Sequence, residues 1–274
     1  MLSKFKETTF SGFCKTDVIF LFSKIKNHNK INKVAIITGG ASGIGEATAL
    51  LFAEYGARVV VIADIQDEKG QNLVNSIGTH RSTYIHCDIS DESQVKSLVE
   101  TTVQLYGRLD IMFCNAAIVT LHLLQTVTDF DFDSYEKVLA HAARAMVDGG
   151  QKGSIICTSS LATSTGLEKS TDYVMSKCAV LGLMKSASMQ LGGHGIRVNC
   201  VSPGAVLTPL FCKAFRGESM EMMEELVESS SYMKGSMKAK HVAEAVAFLA
   251  SDNSEFVNGH NLVVDGGLNN VNAQ

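Results

Sequence analysis

The chain has 274 residues, with 24 Lys and Arg against 28 Asp and Glu for a formal net charge of -4. Such a length can bury one sizeable core, so a single α/β domain over residues 31–270 is expected. With no basic excess and no apolar stretch of the ~20 residues that span a bilayer, neither nucleic acid nor a membrane is an expected partner.

Residues 1–30 carry Lys4, Lys6, Lys15, Lys24, Lys26 and Lys30 against only Glu7 and Asp17. A basic leader of this kind reads as a disordered extension or as a targeting peptide. The expected location is the cytoplasm, with mitochondrion or plastid as the alternative if the leader is a signal.

From Lys33 onward, short continuous apolar runs alternate with helical patterns. Val34–Ile37, Val59–Ile62, Tyr84–Cys87, Ile111–Cys114, Ser154–Cys157, Arg197–Val201 and Leu262–Val264 read as strands covered on both faces. Helices fit Glu46–Tyr55 and residues 91–106, 134–147, 172–191, 218–228 and 241–250. The alternation implies one doubly wound Rossmann-type α/β domain. Its mostly parallel sheet has about seven strands, helices on both faces and ligands at the strands' carboxyl ends. Seven cysteines include no C-x-x-C pair, and several lie in apolar runs where thiols act as small hydrophobes, which suits a reducing compartment.

Thr38-Gly39-Gly40-Ala41-Ser42-Gly43-Ile44-Gly45 joins the first strand to the first helix. Gly39, Gly43 and Gly45 stand where a tight turn brings backbone N–H groups to a pyrophosphate at a helix N-terminus. Asp64 ends the second strand, where a carboxylate accepts from both ribose hydroxyls and repels a 2′-phosphate. Ser42 and Ile65 offer no cation to neutralise that phosphate, so the expected cofactor is NAD. Asp88 either bonds the adenine amino group or caps the next helix. Ile44 and Ile89 extend the candidate cofactor surface, as does Asn115-Ala116, with Asn115 bracing neighbouring strands. Pro203-Gly204 leads to Val206 and Thr208, which are expected at the nicotinamide carboxamide.

Tyr173 and Lys177 lie four apart on a predicted helix and so share a face. A lysine ammonium there lowers the phenol pKa and can hold the nicotinamide ribose, while Tyr173 exchanges the alcohol proton. Ser160, thirteen residues upstream, would stabilise the substrate oxygen, and the adjacent Ser159 is an alternative. The eight histidines include no H-x-x-x-H pair, so no metal is expected. Met220, Met222 and Met223 with Glu221, Glu224 and Glu225 fit an amphipathic surface helix or a lid over an apolar substrate.

At these residues the chain resembles the classical short-chain dehydrogenase/reductase family, over nearly everything from Lys33 to Leu268, including Asp265-Gly266-Gly267. It is similar to the plant NAD-dependent branch containing secoisolariciresinol, isopiperitenol and borneol dehydrogenases. The resemblance implies oxidation of a small apolar secondary alcohol to the ketone, and a homo-oligomer, either tetramer or dimer. Two positions depart from the family's pattern. Ala117 stands where Asn-Ala-Gly is usual. Between Ala140 and His141, about eleven residues are missing, or about 16 Å of helix. In the family that segment carries an Asn that positions the lysine through a water. The alternative expectation is therefore a catalytically impaired NAD-binding paralogue or truncated variant.

Overall fold

The computed structural model describes residues 32–117, 133–168, 170–214 and 219–268, so the leader at 1–30 lies outside the described residues. Seven strands form one sheet: β1 Val34–Thr38, β2 Val59–Asp64, β3 Ser82–His86, β4 Ile111–Cys114, β5 Gly153–Thr158, β6 Ile196–Pro203 and β7 Asn261–Val264. Their order is β3-β2-β1-β4-β5-β6-β7, and every neighbouring pair is parallel. The chain winds outward from β1 to β3, then returns to place β4 on the other side of β1, with Ala35 paired to Ile111. That reversal opens a crevice at the carboxyl ends of β1 and β4.

Alternation along the strands sorts the core into two layers. Ile36, Val61, Met112, Ile155 and Val198 face one side, against α3 (Glu92–Tyr106), α4 (Asp133–Asp148) and α6 (Thr171–Leu191). Ala35, Ile37, Val60, Ile62, Phe113 and Val201 face the other. There they meet α1 (Gly43–Glu54), α2 (Asp67–Ile77) and α9 (Ala239–Ala250). Burial on both faces explains why these strands read as unbroken apolar runs.

Three elements extend what the sequence suggests. Helix α2 is one, and its first turn depends on Gly70, because a Cβ there would sit 2.1 Å from the Tyr84 ring. The others are the short helices α5 (Ala162–Thr165) and α7 (Pro209–Ala214). Strand β3 begins earlier than expected, at Ser82, and leaves Cys87 beyond its end.

Helix α4 runs unbroken through the Ala140–His141 junction. Val138, Leu139, Ala142, Ala143 and Met146 are all buried, so its apolar face stays in phase across that junction. Helix α8 (Met220–Ser229) buries Met223 and Val227 and exposes Met220 and Met222, the pattern of an amphipathic surface helix. Among the described residues, no helix is long and apolar enough to cross a membrane.

Candidate active site

The glycine turn leaves β1 at Thr38 with Gly39 and Gly43 in the left-handed region, at φ of 63° and 59°. A Cβ on Gly39 would lie 2.7 Å from the Ala116 Cα, and one on Gly45 would lie 2.1 Å from the Gly39 carbonyl oxygen. The turn is therefore closed against its own backbone and against the end of β4. Ser42 is the N-cap of α1 yet makes no side-chain capping bond, so the first-turn N–H groups of that 12-residue helix are left to a ligand or water. This cradle fits an anionic group such as a pyrophosphate. Ile44, half-buried, packs against the core.

Asp64, buried at the end of β2, accepts from the Ala41 N–H at 2.9 Å and from the Gln66 N–H at 3.0 Å. The Gln66 side-chain amide adds a third donor at 3.2 Å. The carboxylate thus ties the glycine turn to β2 while standing at its edge. Ile65 is 60% exposed beside it, and the Lys69 ammonium donates to the Gln66 side-chain carbonyl at 2.8 Å. Asp88 is exposed and accepts from the Ser90 N–H and hydroxyl. It does not cap α3; that role falls to Asp91, which accepts from the Ser93 and Gln94 N–H groups because it sits directly before the first helical residue. Ile89 is half-buried against the core.

Asn115 joins three strand ends. Its side-chain amide donates to the carbonyls of Thr38 and Gly39, and its carbonyl accepts from the Thr158 hydroxyl. The Thr38 hydroxyl in turn accepts from the N–H groups of Asn115 and Ala116. Among the described residues no non-glycine residue has a positive φ, so Ala117 stands where glycine is usual without backbone strain. On the far side, Pro203 ends β6, the Gly204 N–H donates to Val264, and Val206 is buried. Thr208 lies against the glycine turn, its Cβ 3.4 Å from where a Gly43 Cβ would stand.

Ser160 follows β5, and Tyr173 and Lys177 lie on the first turns of α6. The Tyr173 phenol stands near the Ser160 hydroxyl. Ser159 is turned away, its hydroxyl donating to the Lys177 backbone carbonyl. Burial raises the Tyr173 pKa above its usual value, and the nearby Ser160 hydroxyl opposes it. The expected lowering by Lys177 is not found in this arrangement. Its ammonium donates to the Thr158 carbonyl at 3.0 Å and stands 5.7 Å from the Tyr173 ring centre. Burial pushes the lysine itself down to about 8, with Cys157 and Cys200 acting the other way.

Two groups in this cluster were not singled out by the sequence. One is the Thr158 carbonyl, a backbone acceptor that carries no sequence signal. The other is Tyr135, whose ring centre lies 5.1 Å from the Lys177 ammonium. It sits 42 residues upstream of that lysine, in a helix whose pattern shows only amphipathicity, so no spacing could have paired them.

The family model that matches residues 39–269 is described as enoyl-(acyl carrier protein) reductase. The (-)-isopiperitenol/(-)-carveol dehydrogenase, mitochondrial, of Mentha piperita is 51% identical over 247 residues, covering 86% of this chain and 93% of that protein. The (+)-cis,trans-nepetalactol synthase of Nepeta racemosa is 52% identical over 249 residues, covering 86% and 93%. Among solved structures, the 3-ketoacyl-(acyl-carrier-protein) reductase of Brucella melitensis complexed with NADH has a TM-score of 0.75 at 28% identity, covering 86% of this chain and 98% of that one.

Proposed function

This chain belongs to the short-chain dehydrogenase/reductase family, and on that premise we propose that it oxidises a small apolar, terpenoid-like secondary alcohol to the ketone with NAD. The observation that carries this reading is the convergence of the Ser160–Tyr173 pair and Lys177 at the same sheet edge as the glycine turn. Bound NAD supplies the ring that accepts the hydride. Tyr173 takes the alcohol proton at its phenol oxygen, and Ser160 holds the substrate oxygen. Lys177 contributes positive charge beside Tyr173 and hydrogen bonds to a ribose. Gly39, Ser42, Gly43, Ile44 and Gly45 receive the pyrophosphate. Asp64, Ile65, Asp88, Ile89, Asn115 and Ala116 hold the adenosine half, and Pro203, Gly204, Val206 and Thr208 hold the carboxamide. NAD is favoured over NADP because the Asp64 carboxylate would repel a 2′-phosphate.

The terpenoid class rests on the two plant relatives named above. The mitochondrial label of the first supports the organelle alternative for residues 1–30. A homo-oligomer, dimer or tetramer, is part of the same proposal. A second reading, NAD binding without turnover, is favoured by the Lys177 ammonium bonding Thr158 and by the segment that the family resemblance implies is missing at Ala140–His141.

The test is reduction of NAD by the purified full chain with a panel of monoterpenols, beside NAD binding followed by thermal shift. Turnover that Tyr173→Phe abolishes supports the dehydrogenase. A thermal shift without turnover on any alcohol would overturn it in favour of the second reading.

A further inference from the structure

The Lys177 ammonium is buried, yet among the described residues only one of its three donors has a partner, the Thr158 carbonyl. What else surrounds it is apolar or weakly polar. Cys157 and Cys200 lie beneath it on β5 and β6, in register with Cys114 on β4. The Tyr173 ring stands on its own helix, and the Tyr135 ring is brought by the first turn of α4. No carboxylate stands among these neighbours. A buried cation without a counter-ion loses its proton or moves unless something of negative potential faces it, and an aromatic face within about 6 Å supplies that.

Tyr135 is the nearer of the two rings, and its hydroxyl is buried without a hydrogen-bond partner among the described residues. That hydroxyl end is directed into the thiol cluster, where Cys157 and Cys114 are its leading electrostatic neighbours. No bond of its own hydroxyl therefore fixes the ring. Its place follows from packing at the start of α4, a helix brought to the sheet by Val138, Leu139 and Ala142.

We propose that Tyr135 is a positioning residue for Lys177, its ring face holding the ammonium charged and in place beside Tyr173. This rests on the reading of Lys177 as a site residue, but the contact is made by the ring and does not depend on which substrate is turned over.

The test separates ring from hydroxyl. Tyr135→Phe keeps the face; Tyr135→Leu and Tyr135→Met remove it while keeping an apolar filling, and the second guards against one variant failing to fold. The full chain is labelled at the lysine side chains, and the Lys177 signal is assigned by its loss in Lys177→Met and titrated by NMR. The midpoint stays in place in Tyr135→Phe and falls by about one pH unit in folded Tyr135→Leu or Tyr135→Met. In turnover, Tyr135→Phe stays within about twofold of the parent, while the Leu and Met variants lose roughly tenfold in kcat with a smaller change in KM for NAD. An unmoved Lys177 midpoint in a folded Leu or Met variant overturns the proposal. So does a Phe variant as impaired as the Leu one. If the parent turns over no alcohol, the dehydrogenase reading fails, and the titration alone decides the role of Tyr135.

Discussion

The carboxylate of Asp64 accepts the backbone N–H of Ala41 at 2.9 Å, so the acidic residue expected to select the cofactor also holds the shape of the glycine turn. Asp64→Ala removes this bond together with the two from Gln66. We expect a loss of about 1–3 kcal/mol in stability, measured by urea unfolding, because buried N–H groups lose their acceptor. The KM for NAD should rise by roughly tenfold or more, and the preference for NAD over NADP should narrow. An unchanged NAD:NADP ratio would detach Asp64 from cofactor choice and leave it a purely architectural residue.

Two glycine replacements should move stability in opposite directions. A Cβ on Gly45 meets the Gly39 carbonyl oxygen at 2.1 Å, backbone against backbone, and Gly45→Ala should destabilise by about 1–3 kcal/mol and weaken NAD binding. Gly182 lies on the exposed side of α6, and a Cβ added there would have nothing within 4 Å. Gly182→Ala should therefore stabilise by about 0.5–1 kcal/mol through helix propensity. Thermal melts of the two variants check both signs, and a loss at Gly182 would show that another surface packs there in solution.

Ser160→Ala removes the hydroxyl that counteracts burial at Tyr173. The phenol pKa then rises further. Because oxidation needs Tyr173 as a base, the acid limb of the rate profile should move to higher pH, and the rate near neutrality should fall by roughly a hundredfold. A uniform loss with no shift of that limb would mean that Ser160 acts on the substrate oxygen alone.

Lys177 carries a stability signature with a definite sign. Its folded pKa, about 8, lies below the ordinary value of 10.5, so below pH 8 the native state holds a charge that burial disfavours. Between about 8 and 10.5 the unfolded chain binds the proton and the native state does not, and stability gains with rising pH. The raised pKa of Cys87, about 11, works in the opposite sense above 9, so the net gain of the parent is confined to the lower part of that window. Lys177→Met should accordingly be more stable than the parent at pH 7, by up to about 3 kcal/mol, with the difference shrinking towards pH 10. Paired melts across that range test it.

The strands were legible because burial on both faces of a parallel sheet leaves an unbroken apolar run, as in Val59-Val60-Val61-Ile62. Helix α2 was not, since Asp67–Ile77 buries only Gly70, Leu73 and Val74 and carries a glycine in its first turn. That glycine looks like a breaker until the Tyr84 ring that fills its space is known. The glycine turn, Asp64 and the Tyr173–Lys177 spacing could be read locally because each lies within a few residues of a strand or helix end. The partners of Lys177 could not. Thr158 acts through its backbone, and Tyr135 reaches the lysine through packing between α4 and α6. The cap of α3 shows the same limit at short range: Asp88 and Asp91 are both plausible caps, and the position of the helix start decides in favour of Asp91.

The sheet's strand order has a consequence for how this protein can be handled. Asn115 ties the ends of β1, β4 and β5 together, yet β1 and β4 are more than seventy residues apart in sequence, and nothing local holds them side by side. The ligand cradle therefore comes into being only when the centre of the sheet has closed, late in assembly and over long chain separations. Partly folded or nicked material should retain helices without any residual nucleotide affinity. Nucleotide affinity is thus a stricter gauge of intact protein than helix content by circular dichroism.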